Sequence, residues 1–298
     1  MQLKSWLLLG RVSNLPTVWS NVLAAALVAR QCLAEPGLSY SALTWVGALL
    51  SLSMMYLGGM FLNDAFDVQW DRENNNPRPL VTGEIPVRQA WTLGLGLLTL
   101  GVALSSYTQL MSQNTGISAW CAGTALAVVI LSYNGVHKRF KHSAFLMGLC
   151  RMGVYVVAAI LLAELSWLFL LAAVSLCFYI ASITYIARGE HQNALLNKWP
   201  LLLLFFPLFS AYYLASRFNS IGVYFILFSV FFTAIITQRA HVLMKGTLPV
   251  KAAVGALLAG IPLVDGLLLA SASAWWPALA CVVLFFCLPY LHRWVTPT

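Results

Sequence analysis

Ten stretches of this chain are apolar enough and long enough to cross a lipid bilayer, and that limits its fold more than any other feature. They run near 13–34, 41–66, 88–108, 115–134, 143–164, 166–187, 199–216, 219–238, 250–271 and 274–292. A spanning helix needs about 17–25 such residues. The stretches at 199–216 and 274–292 are the least regular, so nine spans is the alternative. Backbone amides in lipid must bond inside their own segment, or around a closed barrel. No sustained alternation favours strands. The sequence therefore predicts an all-α fold, a polytopic transmembrane helical bundle of nine or ten spans. Residues 1–298 form a single membrane domain with no linker or low-complexity tract. Only 9% of the residues are charged, against about 25% in a soluble domain.

The opening MQLKSWLLLGR does not read as a secretory leader, because its apolar core is short and no small-residue cleavage site follows. The six cysteines lie in or beside apolar runs and form no CxxC pair, which suits packing rather than metal binding. A net charge of +8 raises the question of nucleic acid. The basic residues are instead scattered over many short loops, so no nucleic-acid partner is expected.

Their distribution orients the chain. With the N-terminus inside, the inner loops hold Lys4, Arg11, Arg72, Arg78, Arg88, Lys138, Arg139, Lys141, Arg188, Lys198, Arg239, Lys245, Lys251 and Arg293. The outer edges hold Arg30 and Arg217, and Arg151 falls within a span. This asymmetry obeys the positive-inside rule. It implies an integral multi-pass protein whose polar loops, 67–87, 135–142 and 188–198, face the cytoplasm; in a bacterium the membrane would be the inner one.

The second apolar run ends in NDAFDVQWDRENNNPRP, Asn63 to Pro79. Asp64, Asp67, Asp71 and Glu73 lie in this short stretch of a chain that has only nine Asp and Glu. On a helix at about 100° per residue, Asn63, Asp64, Asp67 and Asp71 share one face. Neighbouring carboxylates repel by about 1–3 kcal/mol per pair at a surface-like dielectric, and a helix C-terminus disfavours anions further. A divalent cation with a bound phosphate would offset both costs, since hard carboxylate oxygens are what Mg²⁺ uses. The competing explanation is a solvated acidic helix end paired with Arg72, Arg78 and Arg88.

NDAFDVQWDRENNNPRPLVTGEI resembles the first aspartate-rich signature of the UbiA superfamily of intramembrane prenyltransferases, through Asn63, Asp64, Asp67, Asp71, Arg78, Pro79 and Gly83. RVSNLPTVWSN, from Arg11 to Asn21, resembles the superfamily's first-helix opening. LSYNGVHKRFKH, from Leu131 to His142, resembles its Tyr-then-Lys loop after span four. The resemblance implies a bundle around a central lipid-accessible cavity. There a polyprenyl diphosphate rests its head on Mg²⁺ and its tail in the cavity. The allylic C–O bond ionises, and the prenyl group passes to a small, aromatic or hydroxylated acceptor.

On that reading Asp64, Asp67 and Asp71 are metal ligands, with catalytic roles shared by Tyr133 and Glu190. Arg78 would fork onto phosphate oxygens, and Lys138 or Arg139 would add a point charge. Tyr133 would steady the allylic cation with its ring face. Arg11, Asn14, Asn63, Arg151 and Arg188 complete the substrate-binding set. The superfamily's second aspartate motif, after span six, is missing. YIASITYIARGEHQN, from Tyr179 to Asn193, offers only Glu190, flanked by Arg188 and His191. Glu190 serves as a reduced second site, Arg188 binds phosphate directly, or ionisation is lost and a lipid-diphosphate binder remains; the complete first motif favours the first two together. This ending resembles the EboC-like branch of the superfamily.

Two charges lie inside spans, Arg151 and Asp265. Each is a functional suspect by its place, or a polar contact that fixes packing. Pro262, just before Asp265, predicts a kink. The five histidines fall at inner helix ends, as interfacial residues do. Two rival functions stay open: a transporter with Arg151 and Asp265 on its path, and a non-catalytic isoprenoid-lipid binder. The spacing of the CDP-alcohol phosphotransferases is absent.

Overall fold

The computed structural model describes residues 2–33, 41–112, 117–140, 142–192 and 194–295. Lys141, the side chain of His191, and the expected span edges at 34 and 115–116 lie outside the described residues. The described residues supply ten helical spans. A short helix α1 (Gln2–Leu9) precedes a 3₁₀ turn, Val12–Asn14, which runs into α2 (Leu15–Leu33). Then come α3 (Ala42–Glu73), α4 (Val87–Ser112), α5 (Ala119–Val136), α6 (Ser143–Leu162) and α7 (Trp167–Ala187). A second 3₁₀ turn, Glu190–Gln192, leads to the broken span α8 (Pro200–Leu203) and α9 (Phe206–Arg217). The chain closes with α10 (Val223–Lys245), the broken span α11 (Val250–Leu258) and α12 (Ile261–Ser271), and α13 (Trp275–Trp294).

Helices α2, α7 and α12 form the centre. The run Ala24, Ala25, Ala26, Val28 and Ala29 of α2 is fully buried. Lipid is as apolar as these side chains, so close approach of small residues, rather than hydrophobic burial, holds such helices together. Antiparallel α3 and α4 show the same device. A Cβ at Gly58 would press on the Gly94 carbonyl, and one at Gly101 on Met55 and the Ser51 carbonyl. Outward faces of α4, α5, α10 and α13 carry Leu100, Trp120, Leu227 and Phe286, exposed as lipid-facing residues must be.

Two spans break, and α7 hydrogen-bonds to the first segment of each. Tyr179 OH donates to the Leu257 carbonyl at 2.9 Å, just before the α11–α12 break. Ser182 Oγ donates to the Pro200 carbonyl at 2.6 Å, at the start of α8. Freed backbone groups inside a membrane need such partners. The expected kink at Pro262 is thus a full break, with Pro262 in the first turn of α12.

Several expected edges are corrected. Span two does not end at 66: α3 continues to Glu73, because the polar stripe of its last turns is buried by partners instead of being released to water. Asn74 caps it, its Nδ2 donating to the Trp70 carbonyl at 2.9 Å. Span eight begins at Val223 and runs to Lys245, where Gly246 turns the chain with φ 62.

Candidate functional site

The last turns of α3 place Asn63, Asp64, Asp67 and Asp71 on one buried face. Three separate segments close over it, each bringing positive charge.

The first is the turn between α1 and α2. Arg11 sits at φ 44, in the left-handed region that a residue with a Cβ avoids. This conformation aims its guanidinium at the stripe. Nη2 lies 3.3 Å from Asn63 Oδ1 and 3.4 Å from Asp64 Oδ1. The Arg11 carbonyl accepts from Asn14 N at 2.9 Å and Tyr56 OH at 3.2 Å, which fixes the strained turn. Burial works against the Arg11 charge, but the field of Asp64 and its neighbours outweighs it and holds the guanidinium above its usual range.

The second is the loop after α3. Asn76 binds Asp71 twice, N to the backbone carbonyl at 2.9 Å and Nδ2 to Oδ1 at 2.9 Å. Pro77 and Pro79 stiffen the chain on either side of Arg78. Leu80 and Ile85 anchor the loop in a small core with Leu9, Phe61, Ala65 and Ala90. Gly83, at φ 77, makes the turn between them. Arg78 is thereby folded back over the helix. Its Nη1 donates to Asp64 Oδ1 at 2.6 Å, and its Nε faces Asp71 Oδ2 at 3.4 Å.

The third is the end of α5. His137 Nε2 and Lys138 Nζ approach the two oxygens of Asp67 at 3.3 and 3.4 Å. Lys138 also rests on the Trp70 ring at 3.7 Å. Asn134 ties the helices together, accepting from Asn63 Nδ2 at 3.1 Å and donating to the Gly59 carbonyl at 3.0 Å.

Behind the stripe lies a narrow apolar hollow of about 50 Å³. Tyr56, Tyr133 and Arg151 are set among its walls with Met55, Met60 and Met147. Tyr133 stacks on His137 with ring centroids 5.0 Å apart. Arg151 is held over Tyr56 at 5.5 Å and donates to Asn21 Oδ1 at 2.9 Å. Asn21 in turn donates to both oxygens of Asp265 at 2.9 Å. Ser20 and Tyr155 donate to the same carboxylate at 2.5 Å each.

Not every expected site residue joins the cluster. Arg139 is exposed and forms no ion pair among the described residues. Asn14 accepts from His292 Nε2 at 3.0 Å, on α13. Arg188 donates to the Phe140 carbonyl at 3.2 Å and Ser143 Oγ at 2.9 Å, strapping the end of α7 to the α5–α6 loop. Glu190 lies in the 3₁₀ turn after α7. Among the described residues no three His, Cys, Asp or Glu side chains converge as a ready-made metal shell. The expected grouping of Asp64, Asp67 and Asp71 around one ion is therefore not preformed, because Arg78 bridges Asp64 and Asp71.

The donor set nonetheless suits a hard dication. Three buried carboxylates share a face, and among the described residues Asp71 Oδ2 has the 3.4 Å contact with Arg78 Nε but no hydrogen bond. His137 and Asn134 were missed from the sequence. Their signal was the helical spacing that puts Tyr133 and His137 one turn apart on the motif already singled out.

A model of the UbiA prenyltransferase family matches residues 21–197. The digeranylgeranylglyceryl phosphate synthase of Saccharolobus solfataricus is 33% identical over 106 residues, 35% of this chain and 35% of that protein. The chain thus spans about a third of the length of this curated relative. A solved structure described for digeranylgeranylglyceryl phosphate synthase in membranes superposes with TM-score 0.63 at 18% identity, covering 92% of this chain and 98% of that one. The structure of a UbiA homolog from Archaeoglobus fulgidus bound to GPP and Mg²⁺ gives TM-score 0.61 at 18% identity, covering 91% and 99%. At these identities the two structures attest the fold.

Proposed function

The chain belongs to the UbiA prenyltransferase family, and on that premise we propose that it transfers a prenyl group from a polyprenyl diphosphate to a small acceptor within the membrane. The observation that carries this reading is the ring of cations and donors around one buried acidic face. Arg11, Arg78 and Lys138, with the His137 imidazole beside them, reach the three aspartates from three different segments. A bundle seeking only stability would gain as much from apolar side chains, since buried ion pairs seldom repay their desolvation.

Asp64, Asp67 and Asp71 are the residues that would hold a divalent cation, whose charge offsets that of a diphosphate leaving group. The charges explain why both ligands are needed. The aspartates and their partners already nearly cancel. A dication alone leaves the face too positive, and a diphosphate alone too negative; together they restore the balance.

Arg78 is the residue best placed to exchange partners. It is a quarter exposed and bridges two carboxylates, so its planar fork can turn to phosphate oxygens. Arg11 and Lys138 add charge at the sides. Asn63 and Asn134 position the helices and take no part in bond breaking.

The hollow behind would receive the start of the prenyl chain and exclude water. Tyr56 and Tyr133 are among its walls, and an aromatic ring there would suit a developing allylic cation. Its volume is small beside the roughly 300–1,000 Å³ of ordinary ligand sites, so the walls must part as the chain enters. Met55, Met60 and Met147 are the adaptable ones. Arg151, locked by Asn21 at the far wall, offers the acceptor a fixed donor. Arg188 and Glu190 would order the loops over the site, with the basic end of the bundle at the cytoplasmic face.

The test is incubation of the full-length protein with labelled geranylgeranyl diphosphate, Mg²⁺ and a membrane extract supplying acceptors. Diphosphate release and movement of label into a less polar product, both lost in Asp64→Ala, are expected. Binding without release would replace this reading with that of an isoprenoid-lipid carrier.

A further inference from the structure

A second, larger cavity lies apart from the acidic face. It occupies about 420 Å³ between the end of α10, the start of α11 and the end of α13. Arg239, Lys251, His292 and Arg293 line it, and Phe285 and Pro289 provide apolar wall. It opens at the same end of the bundle as the acidic face, because His292 reaches across to Asn14 in the turn that follows Arg11.

Among the described residues no ion pair balances the positive charge here. Beyond residue 190 the chain contains one carboxylate, Asp265, and that group is buried in its own hydrogen-bond set. Among the described residues Arg239, Lys251 and Arg293 form no ion pair. Arg239 Nε is buried without a hydrogen-bond partner. Membrane topology alone accounts for basic residues in loops, where water solvates them. It does not account for a cavity-lining arginine whose Nε is buried with no acceptor among the described residues, since such a group is costly to leave unpaired.

We infer that this cavity binds a phosphate group, carried by an amphiphile whose chains lie along Phe285 and Pro289. Arg239 supplies the deep charge-assisted hydrogen bond, and Lys251 and Arg293 close over the head from the rim. A phosphomonoester fits this set better than a carboxylate, because three cations converge on one space from three helices. The cavity volume falls within the range of small-molecule sites. The inference does not depend on the prenyl-transfer reading, and its ligand needs no divalent ion.

The full-length protein in detergent, with EDTA present, is titrated with dioleoyl phosphatidate, dioleoylglycerol and inorganic phosphate, and bound ligand is counted by native mass spectrometry. Phosphatidate should bind at least about tenfold more tightly than dioleoylglycerol. Arg239→Gln should remove that preference. The rim pair Lys251→Gln with Arg293→Gln, exposed and safe for folding, should remove most of it. Arg78→Gln should leave it intact, which separates this cavity from the acidic face. Inorganic phosphate binding as well as phosphatidate would identify the free ion as the natural occupant, and much weaker binding would identify a lipid; both support a phosphate site. Equal binding of phosphatidate and dioleoylglycerol, or an undiminished preference in the rim pair, overturns the inference.

Discussion

Asp265 and the Asp64, Asp67 and Asp71 group are all buried carboxylates, yet they are held in opposite ways. Asp265 accepts four hydrogen bonds at 2.5–2.9 Å from Ser20, Asn21 and Tyr155, none of them charged. The α3 group is approached by Arg11, Arg78, Lys138 and the His137 ring, and all but one of those contacts lie at 3.3–3.4 Å. The exception is Arg78 on Asp64 at 2.6 Å. Short, neutral, fully shared bonds fix helices in place. Long contacts to partly exposed cations leave carboxylate oxygens available, and leave the cations free to turn to another anion. On the proposed function, the same residue type serves packing in one place and ligand exchange in the other.

The sharpest way to break this contrast is substitution at the loose end. Asp64→Ala and Asp67→Ala should each lower prenyl transfer by about 10²–10³-fold while the chain stays folded, as thermal unfolding in detergent would report. Arg78→Gln should cost about 10–100-fold in kcat/KM for the diphosphate. Arg78→Lys should recover little of that, since a point charge cannot fork. Asp265→Asn should behave in reverse. It should cost about 1–3 kcal/mol of stability through mismatched donors, with activity per folded molecule much less affected. If Asp265→Asn instead abolished turnover in fully folded protein, the division between the two groups would fail. Lys138→Gln should cost only a few-fold, because its partly exposed ion contact is weak. Arg139→Gln should change neither quantity measurably in the same assay.

What could be read from the sequence follows the same division. The ten spans and the acidic face were legible because each is a local pattern. Apolar length marks a span, and Asn63, Asp64, Asp67 and Asp71 share a face by helical spacing alone. The partners were less legible in proportion to their distance along the chain. Arg78 lies in the same motif. His137 looked like an interfacial residue until α5 packed against α3. The network around Asp265 joins positions 244–245 residues apart through Ser20 and Asn21, and no spacing rule reaches that far. The apolar span ends at 66 in the sequence because hydropathy falls there, whereas the helix that carries the acidic face runs on to Glu73 as part of the same element while that face stays buried. The break at Ala259–Gly260 was anticipated as a kink at Pro262. Its extent depended on Tyr179 being there to take the Leu257 carbonyl.

The account stands or falls on the linked binding of a dication and a diphosphate at the α3 face. Isothermal titration of geranylgeranyl diphosphate into the full-length protein, with and without Mg²⁺, measures that linkage directly. The expected result is affinity at least about tenfold tighter with Mg²⁺, and no Mg²⁺ dependence in Asp64→Asn with Asp67→Asn. Equal affinity with and without the ion in the unaltered chain would contradict it.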